Sequence, residues 1–277
     1  MRRNASRFDK TKITVYAGLI LFSLYFMAPY IWILLTALKS PAEVNSYPPT
    51  FLPETWNWSN FSEAWNSQPF TQYLMNTTVV TVTTTIGQVL SSSLAAYGFA
   101  RYDFKFKNAL FLILLGSMML PWDVTAIPQY MLFNNFGWIN TLKPLIIPGL
   151  FGSAYNIFLL RQFLMNFPKD IENAARIDGA TEFQIYSRIF LPAMKGPLFL
   201  VAILNILVVW NDYLGPLIFL QDRSKWTLAL GLASFQGVHS TNIVAIMAIT
   251  VLMTIPPVLC FLFAQRYILD GLDGAIK

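Results

Sequence analysis

Residues 13–38 read ITVYAGLILFSLYFMAPYIWILLTAL, a run with no charged residue, interrupted only by Pro29 and a few hydroxyls. An α-helix needs about 20 apolar residues to cross a hydrocarbon layer some 30 Å thick. Lipid offers peptide groups no hydrogen bonds, so such a run must satisfy its own backbone as a helix. The run is longer than a signal-peptide core and no small-x-small cleavage site follows it, so a retained first span is expected. Further apolar runs occupy residues 72–100, 108–130, 142–163, 198–220 and 243–264. The predicted fold is all-α: a polytopic membrane protein with six transmembrane helices, forming one transmembrane domain over residues 1–277.

Composition agrees, with 55% hydrophobic and 12% charged residues and a mean hydropathy of +0.50. Soluble domains carry about a quarter charged residues. Cys260 stands alone in an apolar run and His239 has no Cys or His neighbour, which leaves no disulfide framework and no His/Cys metal site. The net charge of +5 is divided among short interspan segments, without the long basic run that would point to nucleic acid. Those charges instead orient the chain. With the N-terminus cytoplasmic, the inner segments hold five, three, five and two Lys/Arg, 15 of the 19 in all, and the outer ones hold Lys39, Lys143, Arg223 and Lys225. The excess of positive charge on one side predicts both termini and residues 167–197 inside.

Between the first two spans, Pro41, Pro48, Pro49, Pro53, Trp56, Trp58 and Trp65 suit a partly ordered loop near the membrane interface. The second span is rich in hydroxyls. Ser92, Ala96 and Ala100, four residues apart, form a small-residue stripe that either seats another helix or walls a hydrophilic path. No inverted repeat of the kind seen in secondary carriers is evident.

Residues 167–197 concentrate Lys169, Asp170, Glu172, Arg176, Asp178, Glu182, Arg188 and Lys195 between two apolar spans. Pro168 starts a helix, and Asp170 and Glu172 oppose the positive end of its dipole. Gly179 stops it, because glycine readily adopts the left-handed conformation that closes a helix. Thr181 and Gln184 have capping-box spacing for a second helix. On that helix Phe183, Tyr186 and Phe190 share a side with Ile185 and Ile189 adjacent, a stripe expected to pack on the spans, and Leu191-Pro192 is expected to end it. Two readings of this element stay open: a firmly joined lever, or an amphipathic connector resting on the headgroups.

Asn173-Ala174-Ala175, then Gly179 after three residues, then Ile189-Phe190-Leu191-Pro192 after nine more, reproduces the spacing of the EAA loop. The chain thereby resembles membrane subunits of ATP-binding-cassette importers, and AARIDGATEFQIYSRIFLPAMKGPL in particular resembles the maltose-type carbohydrate permeases. IWILLTALKSPAEV, MMLPWDVTAIPQYMLFNNFGWINT, NILVVWNDYLGPLIFL and QRYILDGLDGAIK extend the similarity over nearly the whole chain. One departure is Asn173 where the pattern has Glu, with Glu172 just before it. The resemblance implies a multi-pass subunit of a bacterial or archaeal cytoplasmic membrane. It also implies a second homologous permease, two cytoplasmic ATPase subunits that bind ATP and Mg, and an extracytoplasmic solute-binding protein. It places Glu172, Asn173, Ala174, Ala175, Asp178, Gly179, Ile189, Leu191 and Pro192 in the ATPase-docking loop. This chain has no phosphate loop, so nucleotide is expected elsewhere and the chain itself carries no cofactor.

A sugar cargo calls for hydrogen-bonding side chains and aromatic faces. Asn156, Asn205, Trp210, Asn211, Asp212 and Tyr213, with Thr84 and Gln88 on the second span, are the candidates for its path. A carboxylate in a helix centre costs about 2.5–3.5 kcal/mol on insertion scales, which singles out Asp212. Asn211 and Asp212 could instead hold a bend before Gly215-Pro216. The expected cargo is a sugar or oligosaccharide, the alternatives being a glycerophosphate or uronate oligosaccharide, or an ion-coupled carrier.

Overall fold

The computed structural model describes the backbone of residues 10–237 and 241–275 and the side chains of 12–237 and 241–265. His239 and the basic residues before Lys10 lie outside the described residues. The chain divides into two compact units, one of Met1–Gln68 with Leu232–Met253, the other of Pro69–Gly231 with Thr254–Lys277.

In the first unit, α1 (Lys10–Ala37) presents apolar side chains on all sides, as a helix in lipid does. After it come α2 (Pro41–Val44) and α3 (Ser59–Asn66). Polar contacts hold the segment around them. Lys39 is buried, donates its Nζ proton to the Thr50 carbonyl and lies 5.0 Å from the Trp32 ring centre. Glu43 is also buried; its Oε1 accepts from the Thr50 hydroxyl and the Glu54 amide, each at 3.0 Å. Asn60 donates to the carbonyls of Ala37 and Lys39 at 2.8 and 2.9 Å. These long-range polar contacts join residues that no sequence period connects.

The second unit is built on α4 (Phe70–Arg101). Following it are α5 (Lys107–Ser117) and α6 (Trp122–Asn135), then α7 (Lys143–Ile146), a 3₁₀ turn at Pro148–Leu150 and α8 (Ala154–Met165). Next come α9 (Lys169–Ile177), α10 (Glu182–Ile185), a π-helical turn over Tyr186–Phe190, α11 (Leu191–Ala193) and α12 (Lys195–Trp210). The chain closes with α13 (Leu214–Phe219), a 3₁₀ turn at Arg223–Lys225, α14 (Leu228–Ala233) and α15 (Ile243–Ala275). α8 and α12 both pack along α4. Their approach depends on small residues: a Cβ on Gly152 would come within 2.9 Å of the Ser92 hydroxyl and 3.0 Å of its backbone. Ser92 and Ala96 are fully buried in this seam.

Among the described residues, four helical segments are long and apolar enough to span a membrane, and six if two bent pairs each count as one. The bends revise the sequence expectations. The run 108–130 is not one straight helix but α5 and α6, set at 97° to each other. Pro121 pushes the residue before it out of helical conformation, so the chain must turn there. The run 198–220 stops at Trp210, and α15 continues beyond residue 264 to Ala275. Leu191-Pro192 does not end the second short helix. A π-helical turn lets Leu191 N–H reach the Tyr186 carbonyl, which opens the ladder where Pro192 has no N–H to give. The helix runs on to Ala193 and meets α12 at 76°.

Candidate functional site

The segment 167–197 is fastened to the C-terminal end of α4. Glu172, on the first turn of α9, is buried between two guanidiniums: Arg101 Nε at 3.5 Å and Arg176 Nη2 at 2.5 Å. Arg101 also donates to the Phe167 carbonyl at 2.9 Å and stacks 4.8 Å from the Phe190 ring centre. Arg176 bridges onward to Glu182 at 2.8 Å, where the Tyr102 hydroxyl also donates at 2.8 Å and that of Tyr97 at 3.3 Å. Ser93 and Tyr186 share a hydrogen bond of 2.8 Å. The Arg176 guanidinium and then the Tyr102 hydroxyl hold the Glu182 carboxyl below its ordinary value, against a smaller opposing effect of burial. Burial first, and then the bond to Glu182, push the Tyr102 hydroxyl up.

Beneath this ionic chain lies an apolar seat. Tyr97, Leu160, Leu164, Ile185, Tyr186, Phe190 and Met194 form one buried cluster, with Ala175, Ile189 and Leu191 packed half-buried against it. Phe183, on the first turn of α10, stays outside this cluster: it is 73% exposed, with its ring 6.4 Å from that of Tyr186.

The turn between α9 and α10 is set by Gly179, whose φ of +80° is left-handed. Ala180 N–H bonds the Ala175 carbonyl and Gly179 N–H bonds that of Arg176, at 3.0 and 3.1 Å, the paired bonds of a Schellman closure. Asp178 caps α9, and Thr181 and Gln184 form the reciprocal capping box. Asn173, Ala174, Asp178 and Pro192 face outward. Around them Ile171, Ile177 and Phe183 are 45, 86 and 73% exposed, an apolar surface on an element otherwise locked in place.

At the other end of α4 lies a cavity of about 340 Å³, lined by Thr77, Trp122, Gln129, Asp212 and Thr227 among apolar residues from α7, α12 and α13. Of the candidates for a cargo path, only Asp212 lines it. Asp212 Oδ1 also accepts from Gly215 N–H at 3.1 Å, so the same side chain holds the break before α13 and faces the cavity. Asn211 donates to the Leu207 carbonyl at 2.8 Å. Asn205 ties α12 to α4 through the Thr85 and Thr84 hydroxyls at 3.0 and 3.4 Å. Gln88 on α4 and Asn156 on the first turn of α8 are buried beside the turn that precedes α8. With its amide oriented to satisfy both ends, Gln88 donates to the carbonyls of Phe151 and Gly149 and accepts from Ser153 and Asn156. Trp210 is buried on an apolar groove with Pro256 and Pro257, and Tyr213 is 39% exposed. Arg101, Tyr97 and Tyr102, and the cavity residues Thr77, Trp122, Gln129 and Thr227, were not singled out from sequence. For Arg101 a signal existed, a cation at the end of a long apolar run.

The sequence model for the binding-protein-dependent transport system inner membrane component matches residues 87–273. The chain belongs to this family. It is a multi-pass membrane permease by that membership and by its apolar helices. The permease is 31% identical to the arabinooligosaccharides transport system permease protein AraQ of Bacillus subtilis, over 100% of both chains. It is likewise 31% identical to the melibiose/raffinose/stachyose import permease protein MelC of the same organism, over 99% of each. A crystal structure of a bacterial ABC transporter involved in the import of the acidic polysaccharide alginate contains a chain of the same fold. There the TM-score is 0.80 at 22% identity, covering 96% of the permease and 99% of that chain.

Proposed function

We propose that the permease is the transmembrane subunit of an ATP-driven, binding-protein-dependent importer of a sugar or oligosaccharide. It lies in the cytoplasmic membrane with both termini and residues 167–197 inside. It forms half of the translocation path beside a second, homologous permease. Two ATPase subunits bind ATP and Mg and dock on the surface of α9 and α10, and an external solute-binding protein delivers the cargo. The arabinooligosaccharide transport of AraQ and the melibiose/raffinose/stachyose import of MelC support a carbohydrate cargo.

One observation carries the coupling role. An apolar surface at Ile171, Ile177 and Phe183 is held outward on an element whose other face is clamped to α4 by buried ion pairs and aromatic packing. A connector resting on the headgroups would have no need of that clamp. A partner pushing on this surface moves α4 with it, and α4 ends at the cavity.

The test uses the permease co-expressed with its ATPase, second permease and binding protein. Ile177→Asp should leave membrane insertion intact, release the ATPase subunit during purification, and abolish the stimulation of ATP hydrolysis by liganded binding protein. Undiminished co-purification and stimulation in that variant would refute the docking surface.

A further inference from the structure

The cavity at the Thr77 end of α4 has a chemistry that narrows the cargo. At about 340 Å³ it lies at the small end of the roughly 300–1,000 Å³ of small-molecule sites, with space for a single sugar ring rather than a chain. Its polar groups come from different elements: Thr77 from α4, Gln129 from α6, Asp212 after α12 and Thr227 before α14. Thr227 is 5% exposed, and its Oγ1 has no hydrogen-bond partner among the described residues. A buried hydroxyl is seldom left so, because the unpaired group forfeits its hydration. The Trp122 ring supplies an aromatic face in the same lining. Hydroxyl, amide, carboxylate and indole together match a ring whose edges carry hydroxyls and whose faces carry C–H groups.

Among the described residues, the lining holds no Lys, Arg or His. The basic residues nearest in sequence, Lys143, Arg223 and Lys225, are exposed, and Arg223 lies over the Trp226 ring at 5.4 Å. A uronate or phosphate entering here would give up hydration, meet the Asp212 carboxyl and find no cation in the described lining. A buried charge without a partner is strongly disfavoured.

We infer that this subunit contributes its own subsite for one ring of an uncharged carbohydrate, built from Thr77, Trp122, Gln129, Asp212 and Thr227, and that it rejects acidic sugars. The inference rests on the importer reading. It sets the permease apart in cargo charge from the alginate transporter whose fold it shares.

The complete transporter, reconstituted into vesicles with its binding protein and with ATP on the ATPase side, is offered two mixtures. One holds neutral oligosaccharides from arabinan, galactomannan, chitin and starch; the other holds uronate oligosaccharides from alginate and pectin. Mass spectrometry identifies what accumulates. Neutral sugars alone should accumulate. Thr227→Val and Gln129→Leu should each raise KM for the accumulated sugar by about tenfold, the effect of one lost hydrogen bond. ATP-driven accumulation of uronates would overturn the inference and leave the importer reading standing. Uptake of neither mixture would overturn both. Neutral uptake with unchanged KM in both variants would overturn the subsite.

Discussion

Glu172 carries more of the architecture than any residue of the motif around it. Its carboxylate is 4% exposed and faces Arg101, which is equally withdrawn from water at 3%. Removing one partner of a buried pair strands the other, at a cost of about 3–5 kcal/mol. Glu172→Gln should therefore lower the melting temperature of the purified permease and weaken the hold of α9 on α4. Asn173→Ala, at an exposed neighbour, should change stability by no more than about 0.5 kcal/mol. Differential scanning fluorimetry in detergent checks both, and equal effects would refute the clamp. Glu182 gives the same chain a pH signature. Its folded pKa lies below the ordinary 4.5, so its contribution is complete above that value and is lost as pH falls through the folded pKa. Stability should stay level from neutral pH to about 5 and then decline, less steeply in Glu182→Gln. Since Glu182 is 45% exposed, solvent screening keeps this a small effect.

At the level of elements, Gly179 decides whether α9 and α10 meet at the right angle. A Cβ there would touch nothing within 4 Å, so any substitution penalty is conformational alone, arising from the φ of +80°. Gly179→Asn should be nearly silent, because Asn tolerates the left-handed region. Gly179→Leu should lose roughly 1–2 kcal/mol in the turn and, with the protein still inserted, most of its uptake. Equal uptake by the two variants would show that the turn does not transmit. This hinge was legible from sequence because helix caps are local: Pro168, Gly179, Thr181 and Gln184 each act within a few residues of themselves. The EAA spacing was legible for the same reason. What escaped is non-local or depends on broken periodicity. The π-helical turn over Tyr186–Phe190 carries the helix past Pro192, the 97° bend divides a run that hydropathy reads as continuous, and Thr227 reaches the cavity from 150 residues beyond Thr77. Only Asp212 among the proposed path residues could be found, because a carboxylate in an apolar run is anomalous wherever it points.

Across the molecule, α4 joins the two ends of the second unit. From Thr77 to Arg101 a helix rises about 36 Å at 1.5 Å per residue, enough to cross the roughly 30 Å hydrocarbon layer. With α4 as a span, the cavity and the clamp fall at opposite membrane surfaces, and the turn at Arg223–Lys225 marks the cavity side, because Asn76 donates to the Ser224 and Trp226 carbonyls at 3.0 and 2.9 Å. In the proposed orientation, argued from the distribution of Lys and Arg, the clamp faces the cytoplasm. Cys260 is the single cysteine, so Cys260→Ser provides a background in which one introduced thiol reports its own side. Ile177→Cys and Ser224→Cys occupy exposed positions at the two ends. A membrane-impermeant maleimide added to intact right-side-out vesicles should label Ser224→Cys and spare Ile177→Cys, and inside-out vesicles should reverse the pattern. Labelling of both from one side would remove α4 as the spanning strut, and labelling in the opposite sense would place the proposed ATPase-docking surface outside the cell, where no nucleotide-driven subunit could reach it.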